Sequence, residues 1–250
     1  MERAYAEQYS NYEEHHWWFR GRRDILRRLL AKEVTWRPGM KVFEIGCGPG
    51  LNLYSLYPQD CDLHGMEPDA ANAGIAGKRG KVPVSVGTVE AMPAELSSKT
   101  FDVITMFDVL EHIQDDATAL KIVKERLVPG GYLVMTVPAY QWMWGQQDVV
   151  NLHFRRYTEG QLVVRLREAG FEIQRATYFN SLLFPPIAMV RLLARLFASK
   201  DKLAKSDFEY STGGLNEVLY HLFKAEAGWL EKFAFPCGVS VFAVARKPMK

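Results

Sequence analysis

The residues of this 250-residue chain best arranged for chemistry are three glycines behind a carboxylate. Gly46, Gly48 and Gly50 form G-x-G-x-G, with Glu44 two residues ahead of the first. Val42 to Ile45 reads as a short buried strand, and the apolar stretch from Leu51 reads as a helix. A strand, a glycine turn and a helix make the unit with which α/β proteins hold cofactors. The glycines let a ligand meet the backbone with no Cβ in the way. The dinucleotide fingerprint wants G-x-G-x-x-G, and Leu51 occupies its third glycine position. A carboxylate at Glu44 would repel a pyrophosphate and suit a cationic ligand. A tight turn that binds nothing is the plain alternative.

Further candidates lie downstream. Glu67 closes a second strand, Asp62 to Met66, about twenty residues past the first, where an acid commonly meets ribose hydroxyls. Pro68 suits the first turn of the next helix. His112 and His153 each follow a strand whose C-terminal end should face a ligand, so both are candidate general bases, His153 first. Arg155 and Arg156 could clamp a phosphate or carboxylate, or form a surface pair. Asp108, Glu111 and His112, at i, i+3 and i+4, could share a helical face and offer a divalent ion two oxygens and an imidazole. No clear fourth ligand accompanies them, so no metal is expected.

The elements that must position these groups follow from composition and pattern. Hydrophobic residues make up 48% of the chain, enough for one domain with appendages. A net charge of +2 gives no strong field for nucleic acid, and no such partner is expected. Cys47, Cys61 and Cys237 form no C-x-x-C pair, so neither a disulfide framework nor a zinc knuckle is indicated. The first residues are polar and charged, without a signal peptide, and no apolar run reaches the roughly 18–20 residues that span a bilayer. The expected setting is cytoplasmic.

In order, Tyr5, Tyr9 and Tyr12 lead into His15-His16-Trp17-Trp18-Phe19. An amphipathic helix then sets Ile25, Leu26, Leu29 and Leu30 on one face, with Arg22, Arg23, Arg27 and Arg28 expected in water. The aromatic run either packs into the core or roofs a site. Val82 to Val86, Asp102 to Phe107, Tyr132 to Val137 and Phe171 to Tyr178 read as further strands. Helices are expected from Asp116 to about Leu127, after Asp115, and from Glu159 to Ala169, capped by Thr158. Pro129-Gly130-Gly131 should break the chain before the fifth strand. Some sixty residues then precede a last strand, Val239 to Ala245. They hold a helix from Ile187 to Ala198, a polar linker from Ser199 to Gly213, and a second helix from Leu215 to Phe233.

E-x-G-x-G-x-G resembles the first motif of the class I S-adenosylmethionine-dependent methyltransferases. The Asp108-Val109-Leu110-Glu111-His112-Ile113 run resembles their ubiquinone-type branch, and Leu-x-Pro-Gly-Gly before a strand also recurs there. The His-Trp-Trp-Phe, Arg-Arg-Tyr-Thr and Phe-Asn-Ser-Leu-Leu-Phe-Pro-Pro runs together resemble bacterial methyltransferases of glycan and lipid-linked sugar pathways.

The resemblance implies an α/β, Rossmann-like sheet of seven strands, mostly parallel, the last antiparallel beside the sixth. It implies a helical cap over 1–37, a cofactor domain over 38–180, a helical insertion over 181–236, and a closing strand and tail over 237–250. S-adenosylmethionine would then meet Glu44, Gly46, Cys47, Gly48, Gly50, Asn52, Glu67 and Pro68. Thr88, Val89 and Glu90 would lie by its adenine, with Phe107, His112 and Trp18 nearby. The acceptor, a small molecule or a lipid-linked one methylated at oxygen, would meet His16, Trp17, Tyr140, Trp144, Arg155, Arg156 and Tyr157. The alternatives are a non-catalytic S-adenosylmethionine-binding protein and an NAD-dependent oxidoreductase. The insertion is expected to form a lid over the acceptor site, with lipid contact at the membrane periphery set against packing on the sheet or in a homodimer.

Overall fold

The computed structural model describes residues 11–197 and 213–249. Helix α1 (Trp17–Glu33) begins where the His16 side chain accepts from the Trp18 amide, and it buries Ile25, Leu26, Leu29 and Leu30. Then come β1 (Lys41–Ile45), α2 (Leu51–Ser55), β2 (Asp62–Glu67), α3 (Ala70–Gly80), β3 (Val84–Val86), α4 (Ala94–Ser97) and β4 (Phe101–Phe107). A 3-10 turn, Leu110–His112, leads to α5 (Asp116–Glu125) and β5 (Leu127–Pro138), and a second, Gln141–Met143, to α6 (Gln146–Val150), α7 (Glu159–Glu168) and β6 (Glu172–Phe179). Helices α8 (Phe184–Phe197), α9 (Leu215–Ala225) and α10 (Ala227–Leu230) precede β7 (Ser240–Arg246).

The seven strands form one sheet in the order β3-β2-β1-β4-β5-β7-β6. β1 to β5 are parallel, and β7 runs antiparallel to both β5 and β6. Parallel strands buried on both faces need apolar runs, and β4 supplies one. Alternation along β1 sends Phe43 and Ile45 to the face covered by Leu120, Val123, Leu162 and Leu166. Val42 faces Ile25, Leu26, Leu29 and Leu30 of α1 instead. The strand order reverses between β1 and β4. Open α/β sheets bind ligands at such a point, beyond the strands' carboxyl ends.

Several expectations need correction. Pro129-Gly130-Gly131 does not separate helix from strand: β5 already pairs at Phe101↔Leu127, and the register shifts past it. Pro68 precedes its helix, because Asp69 is the cap and accepts from the Ala71 and Asn72 amides. The second helix of the insertion breaks at Glu226, whose buried carboxylate accepts from the Ser181 amide at 2.8 Å and the Leu182 amide at 3.3 Å. Asp108 does not share a helix with Glu111 and His112: it has φ 56° and lies ahead of the 3-10 turn. Arg22 is not in water but 6% exposed. The linker over Ser199 to Gly213, Gly213 apart, lies outside the described residues, as do Tyr5 and Tyr9.

The insertion is tied to α1. The Trp17 amide donates to Asn216 Oδ1 at 2.8 Å, Tyr220 Oη donates to Asp24 at 2.7 Å, and Arg20 pairs with Glu217. Phe223 is fully buried, with ring centroids 5.9 Å from Trp17 and 6.3 Å from Phe179. Gly21 makes room for it, since a Cβ there would lie 2.6 Å from Phe223 Cδ1. The outer surfaces leave Leu192, Leu193, Val218, Leu222, Trp229 and Phe233 exposed. Among the described residues no helix is long and apolar enough to cross a membrane. Phe223→Ala should cost about 3–5 kcal/mol in chemical denaturation by opening a cavity beneath α1. Val218→Ala, at an exposed position, should change stability by less than about 0.5 kcal/mol.

Candidate functional site

The glycine loop has the conformation its sequence demands. Gly46 and Gly50 have φ of 69° and 89°. A Cβ on Gly46 would lie 2.5 Å from Val109 Cγ2, and one on Gly50 2.7 Å from Ala76 Cβ. Any larger residue at either position would clash as well as strain the turn. The loop opens onto a cavity of about 1390 Å³ above the sheet.

Gly46, Cys47, Gly48 and Asn52 line the cavity, as do Glu67 and Pro68. Thr88, Val89, Glu90 and Phe107 also line it, and His16, Trp17 and Trp18 come in from the N-terminal segment. Glu67 Oε2 accepts from the Gly48 amide at 3.0 Å, so this carboxylate holds the loop that faces the cavity. Burial raises its pKa against hydrogen bonds from the Asp69 and Gly48 amides.

Glu44 is placed otherwise. It shares its face of β1 with Val42, and Tyr57 Oη donates to its carboxylate at 2.7 Å. It is 1% exposed and is not among the residues lining the cavity. Burial, set against the Tyr57 bond, pushes its pKa up to about 8. Glu13 is the carboxylate that does face the loop: its Oε1 would lie 3.6 Å from a Cβ on Gly48. Glu13 lines the cavity, and its buried Oε2 has no hydrogen-bond partner. Burial pushes its pKa up to about 7, in spite of Arg23, Arg79, Arg22 and the Leu51 amide.

Arg22 crosses from α1 to the end of β4. It pairs with Asp108 Oδ2 at 2.8 Å and donates to Thr136 Oγ1 at 3.0 Å. Thr136 donates in turn to Asp108 Oδ1 at 2.9 Å. Its guanidinium lies 4.9 Å from the Trp18 ring centre, while its buried Nε has no partner.

His112 and His153 also line the cavity and meet edge to face, with ring centroids 4.5 Å apart. Burial first, then the neighbouring His153, lowers the His112 pKa to about 4, so His112 is neutral at ordinary pH. His153 Nδ1 contacts Asp148 Oδ1 at 2.9 Å. Arg156 grips the same carboxylate through both oxygens, at 2.7 and 2.9 Å. Burial works to raise the Asp148 pKa, but the bonds from His153 and Arg156 outweigh it and hold the carboxyl well below its ordinary value. A proton on Nδ1, shared with Asp148, leaves Nε2 of His153 as the free acceptor. Glu111, His112 and His153 also place one ligand atom each within 4.8 Å of one another. Glu111 is fully buried with both carboxylate oxygens unpartnered, and burial and Asp108 raise its pKa far above the ordinary range.

The remaining candidates lie elsewhere. Gly50, Tyr140, Trp144, Arg155 and Tyr157 are not among the lining residues. Tyr140 stacks on Tyr178 at 5.1 Å. Arg155 pairs with Asp116 at 3.0 Å, and the buried Tyr157 donates to the same carboxylate at 2.9 Å, so both serve the contact with α5. Sequence reasoning missed Glu13, Arg22, Asn72, Asp148 and Asn180, all of which are buried; all but Asp148 line the cavity. Arg22 carried a signal: it stands three residues before Ile25 and four before Leu26, on the buried stripe.

A family model described as a methyltransferase domain matches residues 14–176. A Mycolicibacterium smegmatis protein named "Probable S-adenosylmethionine-dependent methyltransferase/" is 29% identical over 164 residues, 64% of this chain and 62% of that one. A Rhizobium etli ubiquinone biosynthesis O-methyltransferase is 31% identical over 98 residues, 38% of this chain and 40% of that one. The chain thus spans less than two thirds of the length of either relative. The N-methyltransferase NodS of Bradyrhizobium japonicum, solved with S-adenosyl-L-homocysteine, superposes with a TM-score of 0.56 at 16% identity, over 95% of this chain and 91% of that one.

Removing the Asp148 carboxylate would strand the buried Arg156 charge. Asp148→Ala should therefore cost about 3–5 kcal/mol in chemical denaturation at neutral pH. With its folded pKa depressed, Asp148 stabilises the wild type above its unfolded value and loses that contribution only in strong acid.

Proposed function

The chain belongs to the methyltransferase-domain family, and from that premise we propose that it transfers a methyl group from S-adenosylmethionine to an oxygen of a small-molecule or lipid-linked acceptor. The observation that carries this reading is that one cavity is lined by both sets of groups the reaction needs. Glu13 and Glu67 lie against the glycine loop, and a histidine in contact with a carboxylate lines the same cavity.

The residues present fit such a cofactor. Unpartnered buried atoms of Glu13, Arg22 and Asn72 gather where its polar groups would lie. Glu13 suits the ammonium and Arg22 Nε the carboxylate, while Glu67 and Asn72 suit the ribose hydroxyls. Thr88, Val89 and Glu90 suit the adenine. The bound sulfonium supplies an already electrophilic methyl group, so the protein must align, exclude water and move one proton. Trp17, Trp18 and the α8 residue Ile187 supply the apolar surface that would exclude water from a bound ligand. His153 Nε2 takes the acceptor's hydroxyl proton, and Asp148 steadies the imidazolium that forms. The exposed apolar faces of α8 and α9 border the cavity and suit a lipid-linked acceptor lodged at a membrane surface.

A second reading has its own observation. The orphaned Glu111 carboxylate beside His112 and His153 suits a divalent ion that would polarise the acceptor oxygen. Dialysis against a chelator separates the two: turnover survives it under the base reading and is lost, then restored by added metal, under the metal reading.

Calorimetry with S-adenosylmethionine, S-adenosylhomocysteine and NAD tests the cofactor assignment, and binding of NAD alone would sink it. Because Glu13 titrates at about 7, a cation beside it must expel its proton at lower pH. Affinity for S-adenosylmethionine should therefore fall as pH drops below about 7, by up to roughly tenfold per pH unit. Glu13→Gln should flatten that profile. His153→Gln should lower kcat by about 100-fold with little change in cofactor Kd; an unchanged kcat would remove the base assignment.

A further inference from the structure

β6 ends at Phe179, and Asn180 follows in a left-handed conformation, φ 58°. Its backbone is fully engaged. The amide donates to Glu226, which also takes the Ser181 and Leu182 amides, and the carbonyl accepts from Val239 at 3.4 Å. Its side chain is the opposite. The residue is 1% exposed, lines the cavity, and has no hydrogen-bond partner for either Oδ1 or Nδ2. Leaving such a carboxamide unpaired costs about 1–3 kcal/mol per group. The turn does not require it, because glycine satisfies a positive φ without burying a polar atom.

We propose that Asn180 is the specificity-determining contact for the acceptor, and that the acceptor presents to it a neutral group that both donates and accepts hydrogen bonds, a hydroxyl-bearing head on an apolar body. The proposal rests on the methyl-transfer reading for the word acceptor. A carboxylate could satisfy only Nδ2, and an ammonium only Oδ1; a pair of hydroxyls satisfies both at once. The surroundings supply the rest of the specification. Leu183, Pro186, Ile187 and Val190 line the cavity on the chain that follows, and Leu219 joins them from α9. These five side chains offer apolar surface, and Arg191, next to Val190 on α8, adds one charge to the same lining. The head is therefore read by one carboxamide, held rigid by the Glu226 carboxylate beneath it, and the body by the insertion.

The probes are three amphiphiles of equal chain length, octyl glucoside, octanoate and octylamine, each below its micelle concentration. Binding to the full chain is followed by tryptophan fluorescence, with and without S-adenosylhomocysteine, since Trp17 and Trp18 line the same cavity. Octyl glucoside should bind the wild type about tenfold or more tightly than the charged pair. Asn180→Gly keeps the turn and the Glu226 contacts. It should lose that preference, leave cofactor affinity within about twofold, and melt no lower than wild type, because an unpaired polar group is removed. Asn180→Asp, of the same shape but without the donor, should also lose the preference, which keeps the test open if the glycine variant folds poorly. Equal affinities for the three heads, or a preference that survives both substitutions, would overturn the proposal. Failure of S-adenosylhomocysteine to bind would instead overturn the cofactor assignment, while the comparison of heads in its absence would still decide the role of Asn180.

Discussion

The ion pair between Arg22 and Asp108 fixes how the rest of the molecule is assembled. A buried guanidinium is tolerated only where its charge is met and its donors are used. Here the end of β4 supplies the carboxylate and β5 supplies the Thr136 hydroxyl. α1 is thereby docked at the carboxyl ends of the central strands, the edge where the cavity opens. Its leucines then pack on the α1 face of the sheet, and α9 packs on α1 around Phe223. The insertion therefore depends on the N-terminal helix for its position. One polar contact at the sheet's end sets two walls of the cavity.

The sheet was legible because its signals are local. Apolar runs bounded by glycine, proline and acidic residues marked each strand to within a few residues, and the parallel core needed little more. Pair chemistry was less legible. Glu44 was expected to face the ligand because it ends β1 before the glycines. Period-two alternation put it beside Val42, under Tyr57, and its place at the loop is held by Glu13 from far outside the strand pattern. His153 was singled out as a base, yet Asp148, which orients it, was not. A lone aspartate in a polar stretch looks solvated until the chain folds Arg156 onto it. Asn180 was invisible for a related reason: only the positive φ and the enclosing cavity separate it from an ordinary turn asparagine. The break at Glu226 was hidden by the run of apolar residues on both sides. Helical periodicity does not register that a carboxylate is needed underneath.

The cavity lining combines charged, titratable and apolar side chains, and the charged ones are the least satisfied. Around the glycine loop, charge is abundant and only partly compensated: Glu13 and Glu67 have pKa values raised by burial, and Arg22 keeps a free donor. Such a site gains most from a ligand carrying both signs of charge, since each end of that ligand relieves a different cost. Leu183, Pro186, Ile187, Val190 and Leu219 add apolar surface to the same lining, beside Arg191, and α8 turns Leu192 and Leu193 outward. His153 lines the same cavity, close-packed against a neutral His112 and backed by the Asp148–Arg156 pair. A buried carboxylate on Nδ1 fixes the orientation of the imidazole, which is what the proposed proton transfer requires of it.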